Sequence, residues 1–214
     1  MHTHFDFSPE RYNILKQQGF YPKTAIDIGA NLGQWYTMFS SIFPDTKVLS
    51  IEGNEACVPE LEKVNPNYKI AMLGRQKGTQ TFYLNESYDK CSGGSLYKET
   101  SEFYTNCNEF TAQITTLDSL DQQFDLIKMD VQGAELDIIR GGFNTILKSS
   151  FLQLELAVLE FNEGAPLIGE VISHLHHLDF SVYDVASHFY WNHRLNQVDI
   201  MFVNNRKLGH LLKL

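Results

Sequence analysis

Thr24-Ala25-Ile26-Asp27-Ile28-Gly29-Ala30-Asn31-Leu32-Gly33 is the stretch that decides the fold. A short apolar run containing β-branched residues leads straight into a turn bounded by two glycines. From Gln34 to Phe43, Trp35, Met38, Phe39 and Ile42 recur at helical spacing before Pro44-Asp45 closes the segment. The expected unit is a strand, a glycine turn and a helix. Glycines at such a turn let the backbone approach a ligand closely, and the helix behind it offers unpaired N–H groups. Ligands of open α/β sheets bind at this edge. Gly29-x-x-x-Gly33 is not the G-x-G-x-x-G of a dinucleotide fingerprint, and no G-x-x-x-x-G-K-[ST] phosphate loop occurs in the chain.

Working outward, Lys47–Ile51 reads as the next strand, and Asn54 caps a helix through Val64 in which Pro59 sits late for a first turn. Tyr68–Leu73 and Thr79–Leu84 read as strands parted by a turn with Gly74 and Gly78. Residues 86–110 are polar, carry Gly93-Gly94 and keep no period, which marks a lid or an acceptor-binding loop. Strand character resumes at Gln113–Leu117 and at Phe124–Asp130, the latter ending on a carboxylate. Leu136, Ile139, Phe143, Ile146 and Leu147 mark one helix, Phe151–Leu159 a long strand, and Leu167 to Leu178 another amphipathic helix. Phe180–Val185 and Val198–Val203 are the last two strands, joined by an aromatic, polar connection. With no repeat, low-complexity tract or linker, the alternation predicts a single doubly wound α/β domain over 24–205. A helical extension (1–23) precedes it and a short tail (206–214) follows.

Composition narrows the function. The 214 residues hold 17 Lys+Arg against 26 Asp+Glu, a net charge of −9, which argues against a partner gripped through nucleic-acid phosphates. Hydrophobic residues at 43% and charged residues at 20% place the chain among globular proteins. Cys57, Cys91 and Cys107 form no C-x-x-C, as expected of a reduced intracellular protein. The N-terminus lacks a basic start with an apolar run, and no window approaches the roughly 18 apolar residues of a membrane helix. The expected address is the cytoplasm.

The carboxylates carry the chemistry. Asp27, just before the first glycine, repels an anionic pyrophosphate and welcomes a cation. Glu52, after the second strand, can accept both hydroxyls of a ribose. Singly they read as a turn cap and a polar strand end. Together, in register with two strands, they point to S-adenosylmethionine, a nucleoside bearing a sulfonium. Candidate proton acceptors at strand ends are Asp130, Glu160 and Glu163. Glu155, inside the long strand among Leu154, Leu156 and Val158, either faces a cleft or is a buried acid paired with Arg or Lys. Glu135 and Asp137 read as solvated helix positions. His174, His176 and His177 flank a solvent face without a metal-ligand pattern, so no metal is assigned. His188-Phe189-Tyr190-Trp191 reads as a wall of the acceptor pocket or as a turn packed on the sheet edge.

AIDIGANLGQW, IEGN, LIKMDVQGAELDIIRGG and LELAVLEFNEGAPLIGEV, spread from about Thr24 to Val203, resemble the FkbM-type S-adenosylmethionine-dependent methyltransferases. Lys128-Met129-Asp130-Val131-Gln132-Gly133-Ala134-Glu135 is the most specific string. The resemblance implies a Rossmann-like, seven-stranded methyltransferase sheet with its last strand antiparallel. It also implies methyl transfer to a hydroxyl of a sugar, glycan or polyketide. Carried over by position, Asp27, Gly29, Ala30, Asn31 and Gly33 line the methionine end of the cofactor. Glu52 and Gly53 serve the ribose, Asn54 and Leu73 border the adenine, and Asp130 lies near the transferred methyl. With the strand-end reading, the candidate catalytic set is Asp130, Glu155 and Glu163. Gln132 departs from the Glu often found there, and Gly53 from a frequent proline. The expected partner is a small-molecule or glycan acceptor, with neither nucleic acid nor membrane. A nicotinamide-dependent oxidoreductase or a catalytically silent nucleoside-binding domain on the same sheet are the other readings.

Overall fold

The computed structural model describes residues 8–85, 91, 93–100 and 107–212. Parts of the expected N-terminal extension (1–7), lid (86–90, 92, 101–106, including Ser92) and tail (213–214) lie outside the described residues. The chain begins with α1 (Pro9–Gln17), β1 (Thr24–Ile28), α2 (Gln34–Ile42) and β2 (Lys47–Glu52). Asn54 caps a short 3-10 turn by accepting from Ala56 N at 3.0 Å, and α3 (Val58–Val64) starts only after it, so Pro59 falls in the first turn, where its missing N–H costs nothing. Next come β3 (Tyr68–Ile70), β4 (Met72–Leu73), β5 (Gly78–Asn85), β6 (Cys107–Thr115), β7 (Leu126–Met129), α4 (Glu135–Gly141), α5 (Phe143–Lys148) and β8 (Phe151–Ala157). The chain closes with α6 (Ile168–His177), β9 (Phe180–Trp191), β10 (Arg194–Asn204) and α7 (Asn205–Leu208).

Seven strands form one sheet in the order β3-β2-β1-β7-β8-β10-β9, parallel except for β10, which runs antiparallel to both its neighbours. The expected last-strand reversal is there. Alternation along the strands divides the core. Ile26, Ile28, Ile127, Leu152 and Leu154 pack with Leu136, Ile139, Val171 and Leu175 of α4 and α6. On the opposite face Ala25, Leu126, Phe151 and Met201 meet Tyr12, Trp35 and Phe39 of α1 and α2. Across that second face runs a buried polar row in strict register, Ser50, Asp27, Lys128 and Gln153.

Several boundaries differ from the sequence reading. Tyr68–Leu73 is two strands, because β2 ends at Glu52. Ala71 makes the last bond of that ladder (N to Glu52 O, 2.9 Å), and Met72 and Leu73 turn to pair with β6 in a separate three-stranded sheet, β4-β6-β5. β6 starts at Cys107 rather than Gln113, and Leu117 opens a 3-10 turn capped by Thr116. The helix expected over Leu136–Leu147 breaks at Gly142, where a Cβ would stand 2.6 Å from Leu117 Cδ2. The aromatic connection His188–Trp191 belongs to β9. The turn is Asn192-His193, with φ of 45° and 62°, the two positive values that match the twist of a tight hairpin. Among the described residues no helix is long and apolar enough to cross a membrane.

Candidate active site

A cavity of about 670 Å³ opens at the carboxyl ends of β1, β2, β7 and β8. Its first wall is the turn after β1. Gly29 has φ +77°, its N–H and that of Ala30 bind Ile51 O at 2.9 and 3.0 Å, and a Cβ on Gly29 would stand 1.8 Å from Asp130 O. Only glycine fits where the β1 and β7 edges meet. Asn31 follows with φ +49°. Its backbone N–H donates to Glu52 Oε2 at 2.7 Å and its side-chain amide to Cys91 O at 3.0 Å.

Glu52 ties two loops together, because Oε1 accepts from Asn54 N at 2.8 Å. Burial pushes its carboxyl up against the pull of these backbone donors. The side chain lines the cavity with Gly53, Asn54, Ala71, Met72 and Leu73.

Two residues expected to line the cofactor lie elsewhere. Gly33, at φ +85°, packs on α3, where a Cβ would meet Val64 Cγ2 at 2.3 Å. Asp27 is fully buried in the sheet below the turn, and its charge is met by Lys128, not by a ligand. Lys128 Nζ is 3.1 Å from Asp27 Oδ1 and 3.6 Å from Asp130 Oδ2, and it donates to Gly29 O at 3.3 Å. Burial pushes the Asp27 carboxyl up and the lysine opposes it.

The floor is a carboxyl cluster. The Gln132 amide nitrogen donates to Asp130 Oδ1 at 3.0 Å and to Glu155 Oε2 at 2.7 Å, and the Gln197 amide donates to the same Glu155 oxygen at 2.8 Å. Glu155 therefore faces the cleft and is held by amides, not by Arg or Lys. Burial, with Asp130 and Asp199 nearby, holds its carboxyl well above the ordinary range. Asp199, its partner across the β8–β10 ladder, is also pushed up by burial and accepts from the Ser187 hydroxyl.

Glu135 is not solvated: at 3% exposure it accepts from Val131 N and Gly133 N, each at 3.0 Å, and fixes the turn in which Gln132 takes φ +54°. Burial pushes Glu135 up to about 7. Asp137 accepts from Tyr97 OH at 2.8 Å.

Glu163 stays outside the cavity. It is exposed in the loop after β8, which Glu163 N ties to Lys98 O at 2.8 Å and which Gly164 N closes locally on Glu160 Oε1 at 3.0 Å. Residues 93–96 cross the cavity instead. Ser95 bridges Tyr83 and its hydroxyl donates to Gln132 O at 2.7 Å, while a Cβ on Gly94 would stand 2.5 Å from Phe82 Cζ. Phe189 sits opposite Gln197 in register, on the cavity face of the sheet, while Tyr190 is 56% exposed. Among the described residues no group of three His, Cys, Asp or Glu side chains is placed to hold a metal.

Lys128 and Gln197 line the cavity although the sequence reading does not single them out, and Gln132, noted there as a departure from a frequent Glu, bridges two carboxyl groups. The one available signal was Lys128, a lysine inside an otherwise apolar strand in register with Asp27.

A doubly wound sheet of this order, with a glycine turn after β1 and an acid after β2, defines the Rossmann-like methyltransferase class. Within it the chain belongs to the FkbM methyltransferase family: the family model described as Methyltransferase FkbM domain matches residues 27–182. A methyltransferase family does not support the oxidoreductase reading. In fold the chain is similar to the FkbM methyltransferase from Methylobacillus flagellatus KT (14% identity, TM-score 0.56), with 90% of this chain and 50% of that one covered. The chain thus spans half the length of that protein. It is also similar to the ribosomal protein L11 methylase from Lactobacillus delbrueckii subsp. bulgaricus (12% identity, TM-score 0.50), with 95% and 80% covered. No curated protein matches the chain.

Proposed function

We propose that this chain transfers a methyl group from S-adenosylmethionine to a hydroxyl of a carbohydrate, glycan or related small acceptor. The observation that carries the reading is the pair of carboxyl groups, Asp130 and Glu155, gathered around one Gln132 nitrogen in the same cavity as the Gly29 turn and Glu52. Gly29, Ala30 and Asn31 would border the methionine end of the cofactor, Glu52 would accept from the ribose hydroxyls, and Gly53, Asn54 and Leu73 would border the adenine. The cofactor supplies an electrophilic methyl carbon on a sulfonium. The protein contributes position and the exclusion of water, the latter through residues 93–96 over the cavity. A neutral hydroxyl is a poor nucleophile, and Glu155, its basicity raised by burial, takes the proton. Glu163 has no part in this chemistry. The acidic balance and three cysteines without a C-x-x-C favour a cytoplasmic enzyme working on neutral acceptors rather than on nucleic acid.

The test is product analysis after incubation with S-adenosylmethionine and a panel of neutral oligosaccharides, polyols and amines. Methyl ethers are expected. Glu155→Gln and Asp130→Asn should keep binding of the demethylated cofactor in calorimetry and lose about 10²–10⁴-fold in turnover. Glu52→Gln should weaken that binding by about tenfold or more. Methylated amines alone, or turnover indifferent to both carboxyl variants, would refute the proposal. Cofactor binding without transfer across the panel would favour the silent nucleoside-binding domain.

A further inference from the structure

Glu155 lies in a cluster of acids, Glu135 and Asp27 buried and Glu155, Asp130 and Asp199 half-buried, that holds more carboxyl groups than cations. Asp130 reaches it from the end of β7, Asp199 from the facing position on β10, and Glu135 from α4. Asp27 lies along the same face from β1, and Tyr12 of α1 adds a buried phenol near Asp199. Among the described residues the cation that serves this group is Lys128, already committed to Asp27 at 3.1 Å and Asp130 at 3.6 Å. Glu155 itself is met by neutral amides, from Gln132 and Gln197, which converge on Oε2 at 2.7 and 2.8 Å. The same Gln132 nitrogen is 3.0 Å from Asp130 Oδ1, so its two N–H bonds hold the two carboxyl groups side by side, and the Asp130 charge adds to the cost of ionising Glu155.

We propose that Glu155 carries a proton on Oε1 in the cofactor-free site and releases it to solvent when the sulfonium of S-adenosylmethionine enters the cavity, so that the charged donor itself readies the base. The inference rests on the cofactor reading above. One O–H bond breaks, the electron pair stays on Oε1 and the proton goes to buffer. One positive charge enters the site as one leaves. The acceptor hydroxyl then gives its proton to Glu155 as its oxygen takes the methyl. The resulting thioether is neutral, so the demethylated cofactor departs from a site already restored to its starting charge. Burial and the neighbouring acids, which hold the Glu155 carboxyl well above the usual range, support the protonated starting state. Glu52 and the amino acid end of the ligand are common to donor and product, so they cancel in a comparison of the two.

The experiment is calorimetry at pH 7 with S-adenosylmethionine and with its demethylated product, each in phosphate and in Tris. The change in observed heat with buffer ionisation enthalpy counts protons. The donor should release about one proton more than the product. Glu155→Gln should abolish that difference, and Glu163→Gln, outside the cavity, should leave it. A readout needing no variant is the affinity ratio of donor to product in the wild-type protein. Because donor binding expels a proton, the ratio should rise by up to about tenfold per pH unit across the titration of Glu155. Equal proton counts for the two ligands, a ratio flat in pH, or a difference that survives Glu155→Gln would overturn the proposal while leaving the cofactor reading intact. Absence of heat with either ligand would overturn both.

Discussion

Lys128→Met strands Asp27, which is 0% exposed and has Lys128 Nζ 3.1 Å away as its counter-charge. Removing one partner of a buried ion pair costs about 3–5 kcal/mol. The structure also sets a ceiling. A stranded carboxylate escapes by taking a proton, at about 1.4 kcal/mol for each unit between an ordinary Asp near 3.9 and the working pH. At pH 7 that ceiling is about 4 kcal/mol, and at pH 5.5 about 2 kcal/mol. Urea unfolding followed by far-ultraviolet circular dichroism should therefore show a loss of about 3–4 kcal/mol at pH 7, a midpoint lower by about 1–2 M, and a smaller loss at pH 5.5. The direction follows from linkage: Asp27 in the variant has a raised folded-state pKa, so its burden grows as pH rises. Asp27→Asn combined with Lys128→Met leaves no buried charge at the pair and should recover most of the loss. A single-variant cost below about 1 kcal/mol, equal losses at the two pH values, or a double variant no more stable than Lys128→Met would refute the reasoning.

Gly29→Ala joins a left-handed φ of +77° to a Cβ 1.8 Å from a backbone oxygen, and should cost at least about 3 kcal/mol, read as a fallen melting temperature and no thermal shift on adding the demethylated cofactor. Glu135, held at about 7 against an ordinary 4.5, favours the fold below pH 4.5 and loses that contribution as pH rises towards 7. Relative to Glu135→Gln, the wild-type protein should lose about 3 kcal/mol of unfolding free energy over that window, measured by urea titration at stepped pH. Glu163→Ala, exposed and outside the cavity, should change stability by less than about 0.5 kcal/mol and leave turnover as it was in the acceptor assay.

The large sheet was legible because its signals are local. β1, β2, β7 and β8 are apolar runs that end at glycine or carboxylate, and the glycine turn of β1 fixes the ligand edge. The small sheet was not, because β4 has two residues and its pairing with Ile114 and Thr115 depends on where β2 stops, which no local pattern encodes. The aromatic stretch of β9 reads as a connection in the sequence because Asn192-His193 lacks the glycine that usually announces a two-residue hairpin turn. At the site, residue type identified Glu52 and Asp130, but burial was invisible. Asp27 looked like a ligand contact and Glu135 like surface, although one is neutralised by a lysine two strand positions before Asp130 and the other accepts backbone N–H groups. Glu163 failed for the converse reason: proximity to a strand end in sequence did not bring it to the cavity.

Met72 and Leu73 leave the large sheet beside Ile114 and Thr115, where the chain comes back, and Gly74 N bonds Thr115 O at 3.0 Å. The forty or so residues between therefore start and finish at one hydrogen-bonded gate, and they carry Phe82 and residues 93–96 over the cavity. Exchanging such a closed excursion alters loop-closure entropy only slowly with length and leaves every ladder of the main sheet untouched. The segment is thus a graftable cassette. Swapping it between relatives would transplant the roof over the cavity while Glu52, Asp130 and Glu155 remain on the host scaffold.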